Sequence, residues 1–182
     1  MAEVNMNEVL SKLDALLGET DLSDVTSEST GFSELPDGYY LTSVDKAELT
    51  VSKSSGNPMV AFMLGIVGDG IDVEIEDDGN VRHKPIKGTN NRKIFKYYVF
   101  KDDSSIRRFV ADMLKFEGEN EGEPLLPKEA FLNSETLEDA LDCLIGSGIY
   151  VNISTSENND GTKSSWTNLI SWKRADALEL PM

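Results

Sequence analysis

The sequence is poor in the residues and segments that many enzymes, secreted proteins and membrane proteins require. Its 182 residues include one cysteine, Cys143, and one histidine, His83. A single cysteine excludes a disulfide framework and a cysteine-rich zinc site. No run approaches about 18 apolar residues, and the N-terminus lacks the basic start and the apolar stretch of a signal peptide. These absences predict a cytoplasmic protein.

Motifs for catalysis and cofactor binding are also missing. The chain has no serine in a glycine elbow, no HExxH or CxxC motif and no glycine-rich phosphate loop. The acidic run at 69–80 does not have the ligand spacing of an EF-hand loop. Cys143 lies among apolar residues of a predicted helix, which favours a small core residue. We therefore expect no enzyme, no cofactor and no metal. The alternative to this expectation is a metal-dependent enzyme that uses the acidic run as its metal site.

Charge is abundant but unevenly distributed. The formal net charge is −16. Residues 82–108 nevertheless hold nine cations and two acids, a net +7, which leaves −23 for the remainder. One basic segment on an acidic body can attract a polyanion locally and repel it elsewhere. The alternative is that these cations lie on a solvated face and bind nothing.

The order of the predicted elements indicates a mainly β protein. Residues 4–18 have the apolar spacing of an amphipathic helix, and the polar stretch 19–34 reads as an acidic linker. Strands are predicted at 35–53, 59–68, 92–100, 148–158 and 162–174. Helices are predicted at 104–118, capped by Ser104 or Ser105, and at 134–146, capped by Ser134. The polar stretch 69–91 is either a mobile loop or a small hairpin.

Five strands with helices between the third and the fourth are typical of an OB-fold barrel, although other small β-barrels share the strand count. The predicted domains are an N-terminal helix and acidic linker at 1–34, an OB-fold domain at 35–175 and a short C-terminal tail at 176–182. An OB barrel commonly binds single-stranded nucleic acid across its second and third strands and the flanking loops.

The third strand, "RKIFKYYVF", supplies the candidate binding residues. Alternation along a strand divides it into two faces. We assign Lys93, Phe95, Tyr97 and Val99 to the core because they are mostly apolar. The open face then holds Arg92, Ile94, Lys96, Tyr98 and Phe100, with cations to bind phosphates and rings to stack on bases. Alternatively, Phe100 closes the barrel and Tyr98 packs under the long loop.

Residues outside this strand complete the predicted site. Tyr150 and Trp166 could each offer a ring to a base, although core packing is the alternative for Trp166 or Trp172. Lys53 follows the first strand, and Lys84 and Lys87 lie in the long polar stretch, where they could contact phosphates. The predicted nucleic-acid-binding residues are therefore Lys53, Lys84, Lys87, Arg92, Lys96, Tyr98, Phe100, Tyr150 and Trp166.

Two segments also carry a family resemblance. "LPDGYYLTSVDKAELTVSKSSGNPMVAFMLGIVGDG" and "NRKIFKYYVF" resemble the core of phage-encoded single-stranded DNA-binding proteins, and the closing "WTNLISW" fits as well. The positions that match are Pro36, Gly38, Tyr40, Lys53, Ser55, Gly56, Pro58, Met59, Arg92 and Phe95. The resemblance covers about 35–100 and 148–174. It implies an OB-fold and sequence-independent binding of single-stranded DNA during phage replication or recombination, in the host cytoplasm.

Partners other than DNA depend on the two ends of the chain. Proteins of this kind often end in an acidic tail that recruits replication or recombination enzymes. Here the end, "DALELPM", is short, so the N-terminal helix is a second possible docking element or a means of forming a homo-oligomer. The alternative function is an acidic protein-interaction module, or a DNA mimic that inhibits a basic protein.

Overall fold

The computed structural model describes residues 5–19, 35–118 and 120–181. The chain divides into two compact units, residues 1–34 and 35–182. The first contains helix α1 (Met6–Glu19), as predicted. Its apolar stripe is exposed and consists of Met6, Val9, Leu10, Leu13, Leu16 and Leu17. No helix in the described parts of the chain is long and apolar enough to cross a membrane.

In the described residues of the second unit, 35–118 and 120–181, there are seven strands and three further helices. The strands are β1 (Gly38–Val51), β2 (Pro58–Ile66), β3 (Gly70–Ile75), β4 (Val81–Ile86), β5 (Lys93–Val99), β6 (Gly148–Glu157) and β7 (Lys163–Ile170). The helices are α2 (Asp103–Met113), α3 (Ser134–Leu144) and α4 (Trp172–Ala177), with a 3₁₀ turn at Lys128–Phe131.

The strands form one antiparallel sheet, so the prediction of a mainly β protein is confirmed. The order β4-β3-β1-β2-β5 is extended by β6, which pairs with β1, and by β7, which pairs with β6. The prediction of a closed five-stranded barrel is wrong in two respects. The sheet has seven strands, since the stretch 69–91 forms the hairpin β3–β4, which is the second of its two predicted alternatives, and among the described strands no ladder joins β5 to β7.

The hairpin forms because apolar and acidic residues alternate along β3. Ile71 and Val73 pack into a cluster that also contains the buried residues Tyr150, Leu178 and Leu180. The alternating acids Asp72 and Glu74 pair in register with Lys84 and Arg82 of β4. Opposite charges on facing strands favour this pairing. The acidic and basic halves of the stretch therefore bind each other in one hairpin.

The main core lies between the sheet and helices α2 and α3. It contains Tyr40, Phe62, Phe109, Met113 and Leu144, each almost fully buried. Both helices begin with a capping box, but the predicted caps are wrong. The caps are Asp102, whose side chain accepts from the Ser105 amide, and Asn133, whose side chain accepts from the Thr136 amide.

The predicted core position of Cys143 is also wrong. The cysteine is exposed on α3. The buried face of α3 consists instead of Ala140, Leu141 and Leu144. Spacings of one, three and four place these three side chains on one side of the helix, and position 143 falls outside that stripe.

The final predicted strand ends earlier than expected. β7 stops at Ile170, and Ser171 caps α4 by accepting from the Arg174 amide at 3.3 Å. Leu178 and Leu180, which follow, are buried against Tyr150. The Leu178 carbonyl also lies 2.8 Å from Nε2 of His83 on β4. Residues near the C-terminus thus contact both the hairpin, through His83, and β6, through Tyr150.

Side chains cross the open gap between β5 and β7, which we call the seam. Lys96 on β5 donates from Nζ to the Thr167 carbonyl at 2.6 Å. Lys115, just after α2, donates to the Leu169 carbonyl at 3.0 Å and to Asp112 at 2.7 Å. The opposite oxygen of Asp112 accepts from the Tyr98 hydroxyl at 2.8 Å. Hydrogen bonds from side chains therefore connect β5 to β7 without a strand ladder.

The seam gives a first testable prediction. Tyr98→Phe removes the hydroxyl that bonds to Asp112 and leaves the ring packing in place. We expect the free energy of unfolding to fall by about 1–2 kcal/mol, since the bond is buried and its acceptor is charged. Urea denaturation measures the change. Tyr97→Phe on the exposed face is the matched control and should change stability by less than about 0.5 kcal/mol. Equal losses in the two variants would contradict the seam's role.

Candidate nucleic-acid interface

The two faces of β5 are the reverse of those predicted. Ile94 and Tyr98 are buried, whereas Phe95 and Tyr97 are each 57% exposed. The prediction assigned Lys93, Phe95, Tyr97 and Val99 to the core because they are mostly apolar, but the opposite face, with Lys96 and Tyr98, is the one that points inward. Both polar groups find partners inside, in the Thr167 carbonyl and in Asp112. A buried polar group is tolerated when it is hydrogen-bonded.

The ring of Tyr98 is held in an aromatic cluster. It contacts Phe62 and Phe109 edge to face, with ring centroids 5.8 and 5.1 Å apart. The Lys96 ammonium lies 5.0 Å from its centroid. Burial raises the pKa of the Tyr98 phenol, and the Asp112 carboxylate raises it further. Burial lowers the pKa of Lys96, and Asp112 opposes that effect. These groups stabilise the fold from inside, and Tyr98 has no open face for a base.

Two other predicted rings are also covered. Phe100 packs on Phe109 with centroids 5.1 Å apart, which agrees with the alternative that it closes the core. Tyr150 points away from the main core as predicted, but Trp172 of α4 lies 6.0 Å from its ring and its hydroxyl bonds to the Pro181 carbonyl. Trp166, by contrast, is 59% exposed on β7. It is adjacent to Thr167, the residue that Lys96 contacts across the seam.

Phe95 and Tyr97 form an exposed pair that we call the ring strip. Side chains two residues apart on a strand are separated by about 7 Å, which is close to the reach of successive bases in an extended strand. Strand pairing places Met63 beside Phe95 and Ala61 beside Tyr97. The same register continues from Met63 to Lys46 and from Ala61 to Glu48 on β1. The ring strip therefore borders a low apolar floor on β2, followed by a charged row on β1.

The remaining predicted contacts are spread around this surface. Lys53 is exposed in the β1–β2 turn, and Lys87 is exposed in the turn after β4. Lys84 lies on β4 opposite Asp72. Arg92 is half-buried immediately before β5. The structure brings Arg92 and Lys96 to the strand that carries the ring strip, and a phosphate-contact role for these cations stays a prediction.

The net-positive segment of the sequence does not form an equally positive surface. Arg82 pairs with Glu76 at 2.6 Å, Arg107 pairs with Asp103 at 2.7 Å, and Lys93 pairs with Asp45. Lys96 is half-buried at the seam. Asp103 belongs to the segment itself, whereas Glu76 and Asp45 come from outside it and reduce its local charge further. The exposed rings thus become the more distinctive feature of the site.

Sequence reasoning missed Phe95 and Tyr97 as contact candidates. The feature that identifies the core face of β5 is its pairing with β2, whose Val60, Phe62 and Leu64 are buried and apolar. These residues face Tyr98, Lys96 and Ile94 in register. Paired residues share a face of the sheet, so the core face of β5 follows once the register is known. The register was not available from the sequence.

Metal binding has no support from geometry. Within residues 5–19, 35–118 and 120–181, no group of three or more His, Cys, Asp and Glu side chains could hold an ion. The acidic run of β3 and its turn instead faces β4, where Glu76 pairs with Arg82.

The buried phenols predict a specific loss of stability in alkali. Burial raises the pKa of Tyr40 from 10.0 to about 12 and also raises that of Tyr98. A raised folded-state pKa contributes stability that is complete below the unfolded pKa and is lost as the pH rises through the folded one. The free energy of unfolding should therefore fall from pH 10 upward. Urea denaturation at pH 8, 10 and 11 measures this fall. The free energy of unfolding of Tyr98→Phe should decrease less steeply with pH than that of wild type, and an identical decrease in the two proteins would contradict this assignment.

Comparison with known proteins identifies a family for this chain. The family model described as "Protein of unknown function (DUF669)" matches residues 19–109, which is 91 of the 182 residues. The matched range contains β1 to β5, the ring strip and the start of α2. A search of curated proteins gives no match. With half of its length matched, the chain belongs to the DUF669 family.

Proposed function

We propose that this protein binds single-stranded DNA without sequence preference and without catalysis, through the ring strip of β5. The observation that carries the proposal is the exposure of Phe95 and Tyr97 beside an apolar floor on β2. Large exposed rings are costly to leave in water and are the usual platforms for unpaired bases. Such a protein would coat DNA that replication or recombination exposes, in the host cytoplasm if it is encoded by a phage.

The strand connectivity supports an OB-like arrangement for this site. Without the β3–β4 hairpin, the order is β5-β2-β1-β6-β7, and α2 and α3 lie between β5 and β6. An OB-fold has the same order of five strands and the same helix position, and it binds nucleic acid on its second and third strands. Here those strands are β2 and β5, which carry the floor and the ring strip.

The rings should contribute more to the affinity than the cations do. Stacking is worth about 1–3 kcal/mol per base. Each neutralised phosphate adds about −0.7 to the log–log salt slope on single strands. Because Arg82, Lys93 and Arg107 already pair with acids, fewer phosphates are neutralised than the sequence charge indicates. We expect a shallow salt slope together with a strong dependence on the two rings.

Substitution of the ring strip tests this function. Phe95→Ala and Tyr97→Ala should each lower the affinity for a single-stranded oligonucleotide about fivefold or more, since each removes one stacking platform. Fluorescence anisotropy with a labelled oligonucleotide measures the affinity at two salt concentrations. Tyr98→Phe is the matched control, because it changes a buried neighbour on the same strand and should leave the affinity unchanged.

Two results would overturn the proposal. One is unchanged affinity in both alanine variants while circular dichroism shows that they remain folded. The other is equal affinity for single-stranded and duplex oligonucleotides, because duplex bases are stacked on one another and cannot stack on Phe95 or Tyr97. Trp166 offers an intrinsic signal, and Trp166→Phe separates it from the signal of Trp172.

The second candidate is an interaction module for a basic protein. It is favoured by the pairing of cations within the basic segment, such as Arg82 with Glu76, in a chain of net charge −16. In that case a basic protein would be recovered with this chain, no oligonucleotide would shift, and the ring-strip variants would reduce capture of the protein partner. Replication or recombination proteins that dock on the N-terminal helix are compatible with the first candidate.

A further inference from the structure

An ion pair crosses the sheet next to the ring strip. Asp45 of β1 and Lys93 of β5 belong to strands that are separated by β2, yet the Asp45 carboxylate bonds directly to Nζ of Lys93. Lys93 is two residues from Phe95, so both side chains project from the same face of β5. The pair therefore closes one end of the surface to which bases would bind.

A β-bulge directs Asp45 to this position. Val44 pairs with Leu64 and Lys46 pairs with Met63, which leaves Asp45 as the extra residue between two consecutive pairs. A bulge bends the strand and reorients a side chain. As a result, Asp45 and Lys46 are both exposed although they are adjacent in sequence. Regular alternation would have sent one of the two into the core.

Gly65 provides the space for the pair. It lies on β2 opposite Lys93, and a Cβ built on it would be 2.6 Å from Oδ2 of Asp45 and 3.0 Å from Nζ of Lys93. Both distances are too short for an ordinary contact, so any side chain at this position would displace the pair. The bulge, the glycine and the two charged groups together place one ion pair at the end of the ring strip.

We propose that Asp45 is an internal competitor for phosphate at Lys93 and thereby limits the affinity of the site for single-stranded nucleic acid. This inference rests on the proposed function. A carboxylate and a phosphate oxygen compete for the charge of the same ammonium, so a strand that stacks on Phe95 gains the full attraction of Lys93 only if Asp45 is displaced. The pair is accessible for that exchange, because 47% of the Lys93 side chain and 31% of the Asp45 side chain are exposed.

A second pair on the same border is weaker. Lys46 lies 3.3 Å from Glu48, and both side chains are about half exposed. Exposed pairs of this kind contribute little to stability. Lys46 can therefore exchange its partner at small cost, whereas the pair of Lys93 with Asp45 is less exposed and joins two strands that β2 separates. Asp45 is thus the residue that determines whether the border attracts or repels a phosphate.

Asp45→Asn tests this inference by a gain of function. It should raise the affinity for a labelled oligonucleotide about two- to fivefold at low salt, because it frees the Lys93 ammonium. It should also make the log–log salt slope steeper by about 0.7, as expected for one additional phosphate contact. Asp139→Asn, at an exposed position on α3, is the control for the same change in net charge and should give neither effect.

A double-mutant cycle separates the local exchange from general electrostatics. In a Lys93→Gln background, the gain from Asp45→Asn should shrink to that of the Asp139→Asn control. Gly65→Ala displaces the pair without changing any charge and should reproduce part of the gain. A gain that persists without Lys93, or no gain in Asp45→Asn when wild type binds and the ring-strip variants do not, overturns the competitor role alone. Absence of binding by wild type rejects both this role and the proposed function.

Discussion

The hydrogen bond between the Tyr98 hydroxyl and Asp112 allows a polar side chain to lie on the core face of β5, the face that pairing with β2 turns inward. Asp112 lies on α2, which packs over the core, so Tyr98 reaches this partner only when it points inward. Lys96 shares that face and reaches the Thr167 carbonyl across the seam. Because side chains alternate along a strand, Phe95 and Tyr97 must then point to solvent. Contacts made by one face thus leave the ring strip exposed on the other.

The seam explains why two edge strands lie beside each other without a ladder. An exposed edge presents unpaired carbonyls, and lysine side chains are a common means of protecting it. Here the two lysines donate to Thr167 and Leu169, two residues apart on β7. The aromatic cluster of Tyr98, Phe62 and Phe109 packs beneath. The sheet remains open in its backbone hydrogen bonding, yet its two edges are held together.

Local patterns in the sequence predicted where strands and helices occur better than they predicted which face of each element is buried. The alternating apolar residues of 148–158 and the apolar stripe of 104–118 correspond to β6 and α2. The strand "RKIFKYYVF" was also predicted, but its faces were inverted, because three apolar or aromatic side chains occur on each side. Only distant residues, Asp112 on α2 and Phe62 on β2, decide between the two orientations. Tyr150 shows the same limit, since α4 and the C-terminal leucines cover a face that alternation alone leaves open.

The net charge of a sequence segment also differs from the charge around that segment in the folded protein. Residues 82–108 are strongly basic in sequence, but the hairpin places Asp72 and Glu74 opposite Lys84 and Arg82. Asp45, far from this segment in sequence, neutralises Lys93. Summed charge over a window therefore overestimated the attraction for phosphate, because it omitted acids that the fold brings near. The bulge at Asp45 could not be recognised in advance, since it is defined by the register of β1 against β2.

A weak phosphate contribution has a consequence for selectivity in the proposed function. A duplex offers phosphates but keeps its bases stacked, so it could gain only the electrostatic part of the binding energy. The floor beside the ring strip is one strand wide, and β1 beyond it carries Glu48 and the Asp45 pair. Neighbouring strands are about 4.8 Å apart, so this border lies about 10 Å from the rings. A single strand fits that width, whereas a duplex would bring a second line of phosphates toward the two carboxylates. Because Asp45 and Glu48 already neutralise Lys93 and Lys46, this border would give the second line of phosphates no net attraction, so a duplex would gain less from the surface than a single strand that stacks on the rings.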